Sequence, residues 1–348
     1  MNRVTSRTNY SISLLRILAC AMIVWNHMSG FMLDGFLNKW NWANTGVQIF
    51  FFMSGFLYGG RVIENRTQWI VRQSKKIYKP YYLSLVILIP LVLLLDSDSL
   101  NILNVVTAVL GLQGFGPQID GLGQHWFVTY ILVCYLLTAF LLSRLKLGRL
   151  GGGKFWFRFV LCALVFQIVT IPLAILIKFK AAYIMTYVIG YCYKARLTGG
   201  QRDREKITWE LVIVIGALFG IVIRFYFEDL QLYGVYERLS DMMVQYIKLL
   251  WGCAAFVLFN KLIPQGIWTN VSSNSKQMLV AIAGYTYEIY LIHEFFVHEP
   301  YLSLFEEIGM LYKVLIALTS VCLATILLCT LENFFCKYNP FSRFFRQA

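Results

Sequence analysis

Leu14-Leu15-Arg16-Ile17-Leu18-Ala19-Cys20-Ala21-Met22-Ile23-Val24-Trp25-Asn26-His27 is the middle of an apolar run, 11–31. The run is long enough to cross a bilayer, for which about 20 residues suffice. It is not a cleavable signal, because it holds Arg16 and His27 and lacks a small-residue cleavage site. An ionisable group in such a run costs several kcal/mol unless it faces an interior cavity. Arg16 and His27 are 11 residues apart. At about 100° per residue this is roughly 1100°, or three turns plus about 20°, so both side chains lie on one face, about 16 Å apart along the axis. With the N-terminus inside, Arg16 sits near the cytoplasmic end and His27 in the outer half. One stripe then carries an anion clamp below and a proton-transfer group above. Taken singly, Arg16 has a plainer reading as a residue snorkelling to lipid phosphates, and His27 as a hydrogen-bonded core histidine. Their alignment favours a functional stripe.

Outward from this run the same composition continues. Further apolar runs cover 43–60, 81–95, 102–115, 126–143, 158–177, 181–194, 209–227, 243–263, 277–297 and 311–335. Across the 348 residues, 58% are hydrophobic and only 14% charged, against about 25% charged in soluble domains. Mean hydropathy is +0.62. A disordered chain, a secreted disulfide scaffold and a nucleic-acid-binding domain are all excluded by this balance. The runs are continuous rather than alternating, so the spans are helices and not barrel strands. The run 102–115 is the weakest, with Asn104, Thr107 and three glycines. Laying it on the outer surface, instead of across the bilayer, gathers 23 of the 31 Lys and Arg on the N-terminal side. The other side then collects 11 of the 18 Asp and Glu. Retention of cations in cytoplasmic loops thus accounts for the net charge of +13 without nucleic acid.

The expectation is therefore an all-α, polytopic integral membrane protein. It has about ten transmembrane helices, both termini in the cytoplasm, and one transmembrane domain over 1–348. Segment 96–125 should carry an interfacial helix, Gly151-Gly152-Gly153 a loop hinge, and 264–276 a flexible loop. The eight cysteines lie in or beside apolar runs without metal-ligand spacing and read as small hydrophobes, so no metal is expected.

On this topology His125 opens the fourth span, His293 ends the ninth, and His298 follows outside. Interfacial histidines also occur in aromatic belts, and Trp126, Phe295 and Phe296 flank these. Arg72, Lys75, Lys76 and Lys79 have the i, i+3, i+4, i+7 spacing of one helical face. They could hold the phosphates of an anionic ligand or lipid headgroups, or serve only as topology determinants. Glu288 and Glu294 lie in the ninth span and should be buried against partners. No GxSxG, HExxH, P-loop or GxGxxG stands in usable context, and no serine nucleophile stands out.

Five blocks taken together look familiar. They are Arg16 with His27 after ten residues; Gly46-Val47-Gln48-Ile49-Phe50-Phe51-Phe52-Met53-Ser54-Gly55-Phe56-Leu57; Lys75-Lys76-Ile77-Tyr78-Lys79-Pro80-Tyr81-Tyr82; His125-Trp126-Phe127-Val128; and Gly284-Tyr285-Thr286-Tyr287-Glu288-Ile289-Tyr290-Leu291-Ile292-His293. In this order they resemble the membrane acyltransferase-3 family. The chain departs from the family pattern by Lys for Arg in the third block, a more compact fourth, and Thr286 for Ser in the fifth. The resemblance implies transfer of an acyl group, usually acetyl, from cytoplasmic acyl-CoA to a hydroxyl of an extracytoplasmic glycan. It implies a stand-alone member without the esterase domain that many relatives carry, in the plasma membrane. Its partners would be acyl-CoA, a polysaccharide or glycolipid acceptor, and the bilayer.

On that reading Arg16, Arg72, Lys75 and Lys76 would bind acetyl-CoA, because guanidinium holds phosphate bidentately. His27 would be the general base, since imidazole titrates near neutral pH. A transient acyl-histidine is an open variant. Asn26, His125, Trp126, Tyr290 and His293 would contact the acceptor or the oxyanion. A transporter or flippase would line its path with similar residues, but no internal repeat is visible. A polysaccharide polymerase would have larger outer loops.

Overall fold

The computed structural model describes residues 9–32, 42–145, 152–177, 179–198, 203–227, 235–298 and 301–338. Among the described residues the protein is helical, without strands. The helices are α1 (Tyr10–Met32), α2 (Thr45–Tyr58), α3 (Arg66–Leu95), α4 (Ile102–Leu110), α5 (Trp126–Leu137), α6 (Gly152–Ile177), α7 (Ala181–Thr198), α8 (Asp203–Phe227), α9 (Val235–Leu262), α10 (Ser273–Gly284), α11 (Thr286–Val297) and α12 (Met310–Tyr338). Seven stretches are long and apolar enough to cross a membrane: Tyr10–Ser29, Arg66–Leu95, Gly123–Leu142, Gly153–Ile177, Ile207–Arg224, Tyr236–Leu262 and Met310–Phe335. Their outward faces are apolar. On α6, for example, Phe157, Leu161, Leu164, Val165, Ile168 and Val169 are all exposed. Such a belt is stable only in lipid.

The remaining runs form shorter or interrupted helices. Between Thr45 and Met53, every residue of α2 except Phe50 is buried. It makes its most extensive contact with α7. Small residues allow that approach: a Cβ on Gly55 would stand 2.0 Å from the Tyr187 carbonyl oxygen, and one on Gly190 2.3 Å from that of Phe52. The expected span 277–297 is not one helix. It divides into α10 and α11 at Tyr285, where φ is −91° and ψ −3°. Gly284 is a poor helix former, and the Thr286 hydroxyl donates to the Ala283 carbonyl across the break (2.9 Å).

The weak run 102–115 contains only α4, nine residues and about 14 Å long, too short to cross. Its Asn104, Thr107 and Ala108 are buried, while Ile102, Leu103, Val106 and Val109 are exposed. Asn101 caps it by accepting from the Asn104 amide, and Gly111 ends it at φ +68°. The third span starts earlier than its apolar run, because α3 begins at Arg66, capped by Asn65, and continues through Pro80 and Pro90. The stripe at 72–79 is therefore an extension of a membrane helix. The 264–276 segment is ordered rather than a flexible loop: Gln265–Asn270 form a 3-10 turn, and the Trp268 indole donates to the Ser11 hydroxyl (2.9 Å).

The placement of both termini, with Arg3, Arg7, Arg343 and Arg346, lies outside the described residues, as do Asp34, Lys146, Arg149, Gly151, Arg202, Glu228, Asp229 and Glu299. From Gly152 on, the expected hinge is already the start of α6.

Candidate active site

The stripe on α1 is continuous. Arg16, Cys20, Ile23 and His27 follow one another at i, i+4, i+7 and i+11, and Cys20 and Ile23 are buried. All three polar members meet α11. The His27 ring is 5.0 Å, centroid to centroid, from that of His293 and edge-on to it, and its Nδ1 is 4.0 Å from Glu294 Oε2. The Cys20 thiol reaches the Thr286 carbonyl at 3.5 Å. Arg16 is within electrostatic reach of Glu288, Tyr58 and Tyr135. Early residues of α1 thus meet early residues of α11, and late meet late, so the two helices run the same way.

The end near His27 is held by hydrogen bonds to backbone. Gln124 Nε2 and His125 Nε2 both donate to the Leu291 carbonyl, at 2.7 and 3.0 Å. The Tyr290 hydroxyl donates to the Gln124 carbonyl at 2.9 Å. His293 Nδ1 donates to the Tyr290 carbonyl at 2.8 Å. A carbonyl only accepts, so these bonds assign the neutral tautomers: His125 keeps its lone pair on Nδ1 and His293 on Nε2. Both of those nitrogens are buried without a partner among the described residues. In this arrangement the protons of Tyr290, His125 and His293 are committed to carbonyls. Asn26 is half-buried beside His27. Trp126 is stacked among Phe51 and Tyr183, with the Lys180 ammonium 4.1 Å from its ring centroid.

Glu294 has a second exposure. With Asp96, Gln118, Asp120, His298 and Ser303 it lines a polar cavity of about 520 Å³. The sequence marked Glu294 as buried against a partner. Its partner being His27, from a helix 267 positions earlier, is a tertiary fact.

At the Arg16 end the cations divide. Arg72, Lys75 and Lys76 are exposed. Lys79 turns away, bonded to Glu332 through its carboxylate at 3.3 Å and its carbonyl at 3.1 Å. Arg61, read from sequence only as a topology determinant, joins the group. Its guanidinium lies over the Tyr58 ring at 5.4 Å, and Arg16, Arg61 and Arg72 all act electrostatically on Tyr58. The Tyr58 hydroxyl is itself fixed by donating to Gln73 Oε1 (2.9 Å). One stripe therefore joins a cationic cluster to a histidine–carboxylate pair whose carboxylate lines a polar cavity. Among the described residues no group of three or more His, Cys, Asp or Glu is placed to hold a metal ion.

The family model for acyltransferase 3, described as an acyltransferase domain, matches residues 9–331. The chain belongs to the membrane acyltransferase-3 family. No curated protein and no solved structure matches it. Membership makes this acyltransferase a membrane-embedded, acyl-transferring enzyme. The matched range takes in the whole α1 stripe and α11. Glu294 then has a testable part. Glu294→Gln keeps the shape and removes the charge beside His27. We expect kcat of acyl transfer to fall about 10-fold, the scale of one hydrogen bond to a charged group, with an unchanged KM for the acyl donor. Glu294→Asp should retain more activity than the glutamine variant. Steady-state kinetics of the two purified variants check this, and equal activity in both means the charge is idle.

Proposed function

We propose that this acyltransferase moves an acetyl group from cytoplasmic acetyl-CoA across the membrane to a hydroxyl of an extracytoplasmic or lipid-linked polysaccharide, at the plasma membrane. The observation that carries the reading is the α1 stripe. Its lower end meets a cationic cluster, and at its upper end His27 stands beside Glu294, which lines a polar cavity. Acetyl-CoA has phosphates at one end and a thioester at the end of a long, thin arm. Arg16 with Arg61, Arg72, Lys75 and Lys76 would hold the phosphates, and the arm would run along α1 toward His27.

His27 then takes the proton of the acceptor hydroxyl, and the hydroxyl oxygen attacks the thioester carbonyl carbon. The carbon–sulfur bond breaks, and the coenzyme A thiolate recovers the proton from His27. Glu294 stands where it would stabilise the positive charge His27 carries between these steps. The His293 ring packs edge-on against the same imidazole. In the acyl-histidine variant the acetyl group would rest on His27 before the hydroxyl attacks.

The direct experiment supplies labelled acetyl-CoA and glycan to the purified protein in detergent. Labelled glycan supports the reading, and O-acetyl signals in the glycan NMR spectrum identify the product. A flippase would produce neither. Arg16→Ala should raise the KM for acetyl-CoA about 10- to 100-fold, the loss of a charge-assisted hydrogen bond to phosphate. An unchanged KM and rate in that variant removes the clamp.

A further inference from the structure

Lys248 is the fourteenth of the 28 residues of α9, at the middle of a membrane-spanning stretch. It is only 5% exposed. Among the described residues it has neither a hydrogen-bond partner nor a carboxylate within ion-pair distance. An ammonium in that position is costly unless a partner or ligand completes it.

The surroundings add cations rather than remove them. α8 and α9 pack antiparallel: a Cβ on Gly216 would meet Leu250 at 3.3 Å, and one on Gly220 would meet Ile247 at 3.1 Å. One further turn brings Arg224 level with the turn of α9 that precedes Lys248. Its Nε is buried without a partner among the described residues, as is Gln245 Oε1 on α9. From α7, Thr186 bonds Gln48 of α2, which in turn donates to the Gln245 carbonyl. Lys180, just before α7, spreads over Trp126. Among the described residues, Arg224, Lys180 and Asp241 are the charged groups that act on Lys248. Neither Lys248 nor Arg224 has a carboxylate within ion-pair distance among the described residues, which places two positive charges together among apolar helices.

We propose that α7, α8 and α9 form an anion site centred on Lys248 and Arg224 that takes a phosphoryl group. A phosphate or diphosphate supplies the two negative charges that a single carboxylate ligand could not. This site does not rest on the acetyl-transfer reading, and it is distinct from the cationic cluster around Arg72. Trp126 adjoins His125 in sequence, so a ligand held here would share a wall with the histidine end of α1. The phosphoryl group has two sources, a membrane lipid headgroup or a soluble phosphate compound.

Thermal unfolding of the purified protein in phosphate-free detergent tests both. One arm adds inorganic phosphate or pyrophosphate. The other compares phosphatidylcholine nanodiscs with discs that also contain phosphatidylglycerol. A ligand that binds only the folded state raises Tm with its concentration. The wild type should gain several degrees in at least one arm, and the responding arm identifies the source. Lys248→Met should unfold at a higher temperature than wild type without anion, because the buried charge is gone, and should lose the anion-dependent rise. Lys248→Arg should keep that rise, and Arg224→Gln should diminish it, so a methionine variant that fails to fold leaves the test intact. A joint exchange of Arg72, Lys75 and Lys76 for alanine should keep it. No rise in either arm, a rise that survives both Lys248→Met and Arg224→Gln, or one lost only with the Arg72 group overturns the proposal.

Discussion

His27→Ala is expected to lower the rate of acyl transfer by about 10²- to 10⁴-fold, the range supplied by a positioned general base, while the protein still inserts and folds. His27 ends a stripe whose other members face α11, and its imidazole lies between the Glu294 carboxylate and the His293 ring. It is half-buried, so removing it opens little of the core. Tm and the elution profile should stay close to wild type, which separates chemistry from folding. The measurement is turnover of labelled acyl donor by the purified variant. A variant that retains near-normal turnover ends the assignment of His27 as the base.

Among the described glycines, Gly55→Ala is expected to be the most damaging change to alanine. The added Cβ would stand 2.0 Å from the Tyr187 carbonyl oxygen and 2.9 Å from the Tyr191 amide nitrogen. Both are backbone atoms of α7 and cannot rotate away. Gly59 repeats the contact one turn on, 2.5 Å from the Tyr191 carbonyl oxygen. Within a membrane, close packing of small residues replaces the hydrophobic drive between helices. Forcing α2 off α7 should therefore cost at least about 3 kcal/mol, at the upper end of overpacking penalties. Little monodisperse protein should be recovered, and its Tm should fall by many degrees. Gly153→Ala and Gly266→Ala are the controls, since nothing lies within 4 Å of the atom they add. A Gly55→Ala protein with wild-type Tm would mean that α2 and α7 are not held at this distance.

The same two regions show how far one-dimensional reading reaches. The alignment of Arg16 and His27 follows from helical periodicity and needs no partner. The short α4, with its polar face and its glycine stop, is equally local. The Lys79 side chain has the spacing of the phosphate-binding stripe, yet it is bonded to Glu332, 253 positions away. His125, Tyr290 and His293 were legible as polar groups near one membrane face. The donor directions of His125 and Tyr290 were not, because their acceptors Leu291 and Gln124 lie 166 positions away, whereas His293 bonds within its own helix turn. Arg61 and Lys248 were invisible for the same reason, each being an ordinary loop or helix cation until the neighbouring helices are in place.

Composition and period determined that this chain is a bundle of membrane helices and that Arg16 and His27 share one face of α1, because lipid penalises each polar group independently of its partners. The tertiary structure alone decided which polar groups meet, which protons are already spent on carbonyls, and where positive charge is left over. Those properties depend on distances between helices far apart in the chain, and no local spacing encodes them.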